Sequence, residues 1–366
     1  MSERYPRRVP NQSKGPRTAT AYDVARIAGV SQSAVSRAFT DGASISDATR
    51  CKVMEAAARL GYRPNLMARS LITRRSKIIG VAVGYLYNPF YPALLNQLSH
   101  KLEAMGYRVL LFVSNPGESS DPILEEVLCY RLDAVILMAA DLSSHFDEEC
   151  RQAGVPVVLI NRKTESTTIS SVTCANAEGA ETIARFLVAG GHRRFAYVAG
   201  MANSSTNRDR ETAFNRYLAE QGFDPPMRAV GNYTFDDAAQ AARDLLNRCD
   251  RPDAIFCCND FMALAVINVA RCEFGLDIGR DISIVGFDNI AQSDWPTFAL
   301  TTYEQPTQKM VDQAIEIVQQ RVEKAESVCT QHVLPGELVV RSSARTPSTG
   351  MVERGGRLIW TGDGAA

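Results

Sequence analysis

The chain has 366 residues, 45% hydrophobic and 22% charged, which excludes a disordered or fibrous polymer and leaves room for two or three folding units. No run of eighteen uncharged apolar residues occurs, and the opening stretch MSERYPRRVPNQSKGPR is charged with no apolar segment, so neither a membrane span nor a secretory signal is expected and the protein is assigned to the cytoplasm. The net charge of -1 hides a division: residues 1 to 77 carry fifteen Lys and Arg against five Asp and Glu while the rest is acidic, so a basic head that meets a polyanion is expected on a body with another task.

Residues 1–17 read as a disordered basic arm in which Arg4, Arg7 and Arg8 add nonspecific attraction to DNA. Behind it Thr20 and Asp23 have the spacing of a capping box, and Val24, Ile27 and Ala28 recur at helical intervals, so a first helix is expected over about Ala21 to Ala28. Gly29 suits a tight exit, and Ser31 can cap a second helix from Gln32 to about Phe39. On that helix Val35, Ala38 and Phe39 share a face with Val30, leaving Gln32, Ser33, Ser36 and Arg37 opposite. Amide and hydroxyl side chains over the first turn, with an arginine one turn later, suit the major groove, where such groups read base edges and hold phosphates. A modest amphipathic surface helix is the alternative for this pattern taken alone. Ser46 can cap a third helix carrying Val53, Met54, Ala57 and Leu60 and ended by Gly61. Pro64 then stops one element and can open another over Asn65 to Leu71, too short to be stable by itself, before the basic linker ITRRSK at 72–77.

These segments, TAYDVARIAGVSQSAVSRAF and ISDATRCKVMEAAARLGYRPNLMARSL, resemble the DNA-binding head of the LacI/GalR family of bacterial transcription regulators from Thr20 to Leu71 without a gap. The resemblance implies a helix-turn-helix domain at 18–64 and a hinge helix with linker at 65–77. By matching position it implies Gln32 and Ser33 as base readers, Arg37 as a base or phosphate contact and Ser31 as a phosphate contact, with Ser36, Asn65 and Ala68 in the same DNA-contacting set. Leu71 matches a leucine wedged into the minor groove, where unstacking a base step lets the bent DNA touch more protein. Ala34 stands where family members often have threonine, which removes one hydroxyl-to-phosphate contact.

From Lys77 onward short Val- and Ile-rich runs, IIGVAVGYL, RVLLFVS, DAVILMAA, VPVVLIN, RFAYVAG, DAIFCCND and DISIVGF, alternate with amphipathic stretches such as YPALLNQLSHKLEAMG and DRETAFNRYLAEQG. That alternation predicts an α/β body of parallel sheets flanked by helices, with enough strands for two sheets. Ligands in such folds bind beyond the carboxyl ends of strands. There the sequence places YNPFY (87–91), NRK (161–163), GMANSSTNRDR (200–210), ND (259–260) and FDN (287–289), a mix of Arg, Asn, Asp and aromatics that a small polar ligand needs. Single positions keep an ordinary alternative, Asp260 as a helix cap and Arg210 as the partner of Glu211 or another surface acid.

The family resemblance extends over 78–345 through NPFY, GHRRFAYVAG, NRDR, CCNDFMALAV, DISIVGFDN and LTTYEQP. It implies a two-lobed, periplasmic-binding-protein-like domain that binds effector and dimerises. By position it implies Arg210, Asn259 and Asp288 as effector contacts, with Asn88, Phe90, Asn161 and Tyr233 as further candidates. The family's usual V-x-x-D-N-x-x-G appears here as VTCANAEG (172–179), so Ala175 replaces a carboxylate and the cleft becomes less hostile to an anion. The expected effector is a sugar, a sugar acid or another organic acid, with an acid held by Arg210 at least as favoured as a neutral sugar.

The nine cysteines, at 51, 129, 150, 174, 249, 257, 258, 272 and 329, form no C-x-x-C pair or zinc spacing and read as reduced thiols; no metal or cofactor is expected. His100, His145, His192 and His332 belong to no triad or metal spacing, and no G-x-S-x-G, P-loop or G-x-G-x-x-G stands at a strand end, so an enzyme is not expected. The expected function is a ligand-responsive repressor that binds a roughly palindromic operator as a homodimer. A solute-binding protein without a DNA role, or an activator, is the alternative. Residues 346–366 read as a disordered tail from their Gly, Ser, Pro and charge content.

Overall fold

A computed structural model of the chain describes residues 19–40, 42–64, 75–114, 127–138, 144–164, 168–323 and 328–362. The chain divides into two compact units at Ser76/Lys77.

The first unit holds helices α1 (Ala21–Ala28), α2 (Gln32–Ala38) and α3 (Asp47–Leu60). Each begins on a side chain that accepts a backbone N–H left over at the helix start: Thr20 from Asp23, Ser31 from Ala34 and Ser46 from Thr49. At the first of these Asp23 answers with its own carboxylate to the Thr20 backbone, completing the capping box. Gly29, at φ 67, turns the chain from α1 into α2 within three residues, a conformation that costs glycine nothing. Val24, Ala25, Val35, Ala38, Val53, Ala56 and Ala57 close the core. Ile27 and Met54, expected on the apolar faces, are 42% and 48% exposed, because the inward stripe runs through the alanines beside them.

In the second unit the strands are β1 (Ile78–Gly84), β2 (Arg108–Ser114), β3 (Ala134–Met138), β4 (Val157–Ile160), β5 (Ser170–Cys174), β6 (Phe195–Ala199), β7 (Met227–Val230), β8 (Ala254–Cys257), β9 (Ser283–Asp288), β10 (Thr301–Glu304), β11 (Gln331–Leu334), β12 (Glu337–Val339), β13 (Met351–Arg354) and β14 (Arg357–Trp360). Helices α4 (Phe90–Ala104), α5 (Ser144–Ala153), α6 (Asn176–Ala189), α7 (Ser205–Glu220), α8 (Phe235–Leu246), α9 (Asp260–Cys272) and α10 (Thr307–Glu323) alternate with them, and a short 3₁₀ turn spans Ala291–Asp294. One sheet runs β11-β5-β4-β3-β1-β2, all parallel; the other runs β13-β14-β12-β10-β9-β8-β6-β7 and is parallel from β10 to β7. The chain passes between the two lobes three times, at Ala175 after β5, at Gln305 and Pro306 after β10, and at Pro335 and Gly336 after β11.

Strands β5 and β10 escape a search for apolar runs because they are SSVTC and TTYE, yet Ser170, Ser171, Thr173, Thr301 and Thr302 are all buried. Flanking strands on both sides satisfy the backbone, so polar side chains are tolerated there once their hydroxyls find partners. The expectation of a disordered tail at 346–366 is corrected: residues 351–360 form an antiparallel hairpin joined to β12, and Trp360 is only 3% exposed. Burial of an indole and a shared ladder outweigh the Gly-rich composition.

Gly179, the glycine of the VTCANAEG motif, lies where α6 crosses the second sheet; a Cβ there would stand 2.7 Å from the Tyr303 ring and 2.8 Å from the Phe287 ring. Both rings are buried, so Gly179→Ala is expected to cost about 1–3 kcal/mol through overpacking, measured as a lower urea midpoint with an unchanged slope.

Candidate functional site

On α2 the buried side chains are Val35 and Ala38, whereas Ser31, Gln32, Ser33, Ser36 and Arg37 are exposed. The Ser31 and Ser33 hydroxyls lie 2.8 Å apart, and Arg37 Nε donates to the Ser33 carbonyl at 3.3 Å, which lays the guanidinium along the helix toward the hydroxyls. Arg50 on α3 donates to the Ala38 carbonyl at 2.7 Å, filling an open acceptor at the C-terminus of α2 and complementing its dipole. The result is a short, rigidly seated helix that presents a polar face ending in a cation. Tyr22 on α1, passed over in the sequence, is 64% exposed in the same unit. Asn65, Ala68 and Leu71 lie outside the described residues.

In the second unit the expected effector residues sit beyond strand ends: Asn88 and Phe90 after β1, Asn161 after β4, Tyr233 after β7, Asn259 after β8 and Asp288 at the end of β9, with Arg210 on α7. All seven are buried. Arg210, 2% exposed, is the hub. Its Nε donates to Asn176 Oδ1 at 2.8 Å, its Nη1 donates to the Cys258 carbonyl at 2.5 Å, and its guanidinium stacks 3.5 Å from the centre of the Phe287 ring. Asp288 Oδ1 stands 3.9 Å from Arg210 Nη1 and accepts from Gln305 Nε2 at 2.7 Å. Glu211, the partner considered for Arg210 from sequence, pairs instead with Arg228 at 2.5 Å. Burial pushes the Asp288 carboxyl up to about 7, with Arg210 as the largest opposing influence and Asp260 adding to the rise. Near neutrality the buried cation is therefore only partly neutralised by its carboxylate neighbour.

Above this pair the two lobes meet. Arg162 donates from Nη1 to Thr206 Oγ1 at 2.5 Å and lies 5.7 Å over the Tyr233 ring; the Tyr233 hydroxyl is 2.9 Å from Ser204 Oγ and 3.1 Å from Thr206 Oγ1. Tyr233 takes φ 62 and its ring lies against Gly200, where a Cβ would come within 2.2 Å of it. Tyr85 approaches Tyr233 at 6.3 Å between ring centres and Tyr87 approaches Phe261 at 6.0 Å, so aromatics from both lobes wall the cleft. Burial holds Tyr87 up at about 12, which keeps that phenol neutral.

Some expected contacts have another task in this state. Asn259 caps α9 by accepting from the Met262 backbone at 3.0 Å, and Asn88 accepts from the Phe90 backbone at 3.1 Å. Asn161, at φ 61, donates to the Tyr91 hydroxyl at 3.3 Å, and its Oδ1 finds no hydrogen-bond partner among the described residues. Arg162, Asn176, Thr206 and Gln305 belong to the site although the sequence analysis assigned them no role; all four lie inside its motifs, in NRK, VTCANAEG, GMANSSTNRDR and LTTYEQP, but only the fold shows what each one meets. Asp260 is not the cap, a place Asn259 takes, but the first residue of α9. Fully buried, it accepts from the Ile290 backbone at 3.0 Å, Ser293 Oγ at 2.7 Å and Thr302 Oγ1 at 2.5 Å, and so fastens the turn after Asp288.

Residues 20–65 match the profile described as "Bacterial regulatory proteins, lacI family", and residues 184–344 match "Periplasmic binding protein-like domain". Catabolite control protein A of Priestia megaterium is 32% identical over 335 residues, spanning 89% of this chain and 99% of that protein. The HTH-type transcriptional repressor PurR of Photobacterium profundum is 30% identical over 332 residues, spanning 89% and 99%. Among solved structures, the Lac repressor dimer bound to operator and the anti-inducer ONPF superposes with a TM-score of 0.80 at 27% identity, covering 89% of this chain and 99% of that one. The transcriptional regulator CelR in complex with cellobiose gives 0.68 at 26% identity, covering 89% and 100%.

Proposed function

Because the chain belongs to the lacI family of bacterial regulatory proteins, we propose that α2 reads operator DNA and that the cleft around Arg210 takes the small molecule that controls the reading. The chain is a ligand-responsive, DNA-binding transcriptional repressor, not an enzyme. Two heads on a homodimer meet a roughly two-fold symmetric operator, with Ser31, Gln32, Ser33, Ser36 and Arg37 at the DNA and Asn65, Ala68 and Leu71 in the hinge that reaches the minor groove. A ligand shifts DNA affinity only by as much as it favours one arrangement of the lobes over another. Acting on DNA, the protein works in the cytoplasm; among the described residues no helix is long and apolar enough to cross a membrane.

The effector is a small organic acid. The observation that carries this is the buried Arg210, whose carboxylate neighbour is held at about 7. With Ala175 where the family resemblance implies an aspartate, a ligand carboxylate meets one acid fewer, and its charge drives a proton onto Asp288, which then donates a hydrogen bond. Calorimetry of the full-length protein against organic acids and neutral sugars checks this. Binding of an acid with proton uptake, seen as a buffer-dependent heat, is expected; tight binding of a neutral hexose or pentose with none of any acid would overturn it.

Selection of DNA from a random pool tests the head, and enrichment of a palindrome with a central pyrimidine-purine step is expected. On that operator Arg37→Ala is expected to cost about 1–3 kcal/mol and to relax preference at one position per half-site. An equal loss on every sequence would make Arg37 a phosphate contact.

A further inference from the structure

Residues 351–360 lie outside both matched profiles, which end at 65 and 344, yet they are built into the lobe connections. The turn between β13 and β14 is Gly355–Gly356, at φ 58 and 75, the left-handed pair that a two-residue hairpin requires. Its flanking arginines reach two different crossings. Arg357 forms a two-pronged pair with Glu304, at 2.9 Å and 2.8 Å, and Glu304 is the last residue of β10 before the chain crosses at Gln305 and Pro306. Arg354 pairs at 2.5 Å with Glu337, the first residue of β12 after the crossing at Pro335 and Gly336. Those two crossings touch: a Cβ on Gly336 would lie 2.0 Å from the Glu304 carbonyl oxygen. The other end of the hairpin is anchored by Trp360, whose ring packs at 5.6 Å on Phe186 of α6, the helix entered through the remaining crossing, at Ala175.

Glu304 also leads into the cleft. Its Oε1 accepts from Asn289 Nδ2 at 2.9 Å, while the next residue, Gln305, donates to Asp288. Glu304 therefore directly precedes one partner of the Asp288–Gln305 contact and holds the residue that follows the other.

We propose that the C-terminal hairpin is a brace on the interlobe hinges, with Arg357 and Arg354 as positioning residues that restrain the Gln305 and Gly336 crossings and so hold Asp288 in the cleft. The idea that the brace tunes effector response rests on the reading of the cleft as the ligand site, but the brace itself is measurable without any ligand. Half-exposed ion pairs add little to global stability, so their effect is local opening.

The experiment is hydrogen–deuterium exchange on ligand-free, full-length protein carrying Arg354→Ala and Arg357→Ala together, with Arg357→Lys and Trp360→Ala alongside. In the double variant exchange at 303–307, 335–338 and 286–290 is expected to quicken about two- to fivefold, with β1 unchanged and 351–360 still protected by Trp360 and its ladder. Arg357→Lys, which keeps charge but loses the second prong, is expected to fall between. Trp360→Ala is expected to release both hairpin and hinges. Quickening confined to 351–360, or hinge exchange unchanged in the double variant, would overturn the brace. A brace that holds while calorimetry finds no acid would leave the hinge assignment standing and remove only the effector class.

Discussion

Arg210→Ala is expected to cost the folded body about 3–5 kcal/mol and to abolish the response to effector. The guanidinium is 2% exposed, and removing it strands the Asn176 amide oxygen, the Cys258 carbonyl and the Asp288 carboxylate in a place water reaches poorly. The pH dependence identifies the mechanism. Burial raises the Asp288 carboxyl to about 7 in the folded protein, above its ordinary value of about 3.9 in the unfolded chain, so the native state binds this proton more tightly. The cost of burying Asp288 is full above pH 7, shrinks as the pH falls toward 4 and is gone below that, so this group makes stability rise on acidification by at most about 1.4 kcal/mol per pH unit. Without Arg210 the carboxyl moves higher still, and the relieving window shifts to higher pH. Urea unfolding at pH 5, 7 and 8 checks both statements. A loss below about 1 kcal/mol with an unshifted pH profile would mean that Arg210 is not the hub of the site. The head keeps its own core, so weak, salt-sensitive DNA binding is expected to survive the substitution.

Asp260→Ala is expected to cost about 3 kcal/mol or more, because three buried donors lose their acceptor at once and each carries a penalty of about 1–3 kcal/mol before relaxation. The consequence reaches the cleft through the backbone. Asp288 and Asn289 take φ 136 and 57, a turn that non-glycine residues adopt only when their surroundings hold them, and the Ile290 N–H on Asp260 is one of those restraints. Asp260 sits against Gly286, where a Cβ would come within 2.1 Å of its carboxylate, so no side chain fits at 286 while Asp260 is in place. Asp260→Asn keeps the shape and one acceptor but turns an N–H₂ toward a donor, and about half the loss is expected. Denaturation midpoints rank the three proteins, and effector binding by Asp260→Asn is expected to weaken along with its stability. Full stability in Asp260→Ala would mean that the turn is held from elsewhere.

Which parts of this molecule are legible in its sequence follows from how far apart the cooperating residues lie. The head is written locally: Thr20 with Asp23, Ser31 with Ala34, Ser46 with Thr49, and glycine at the ends of α1 and α3 all act within four residues, so boundaries and the outward face of α2 follow from spacing alone. The hairpin carried a local signal too, Gly-Gly between MVER and RLIW, but composition argued for disorder, and only the docking of Trp360 on Phe186, far away in the chain, makes that segment ordered.

The cleft is the opposite case. Residue types at strand ends pointed to a polar ligand site, and all seven chosen positions are buried there. Their partners could not be read off. Glu211 follows Arg210 directly, but successive helical residues project about 100° apart, so Arg210 turns inward to Asn176, Cys258 and Asp288 while Glu211 turns to Arg228. By itself the sequence determined the elements whose interactions close within a turn or two, together with the chemical character of the strand-end loops. The tertiary structure alone decided which buried charges face each other, how far Asp288 is held from its ordinary titration, and that the last strands reach back to the hinges, because desolvation and pairing depend on distances in space that residue order does not contain.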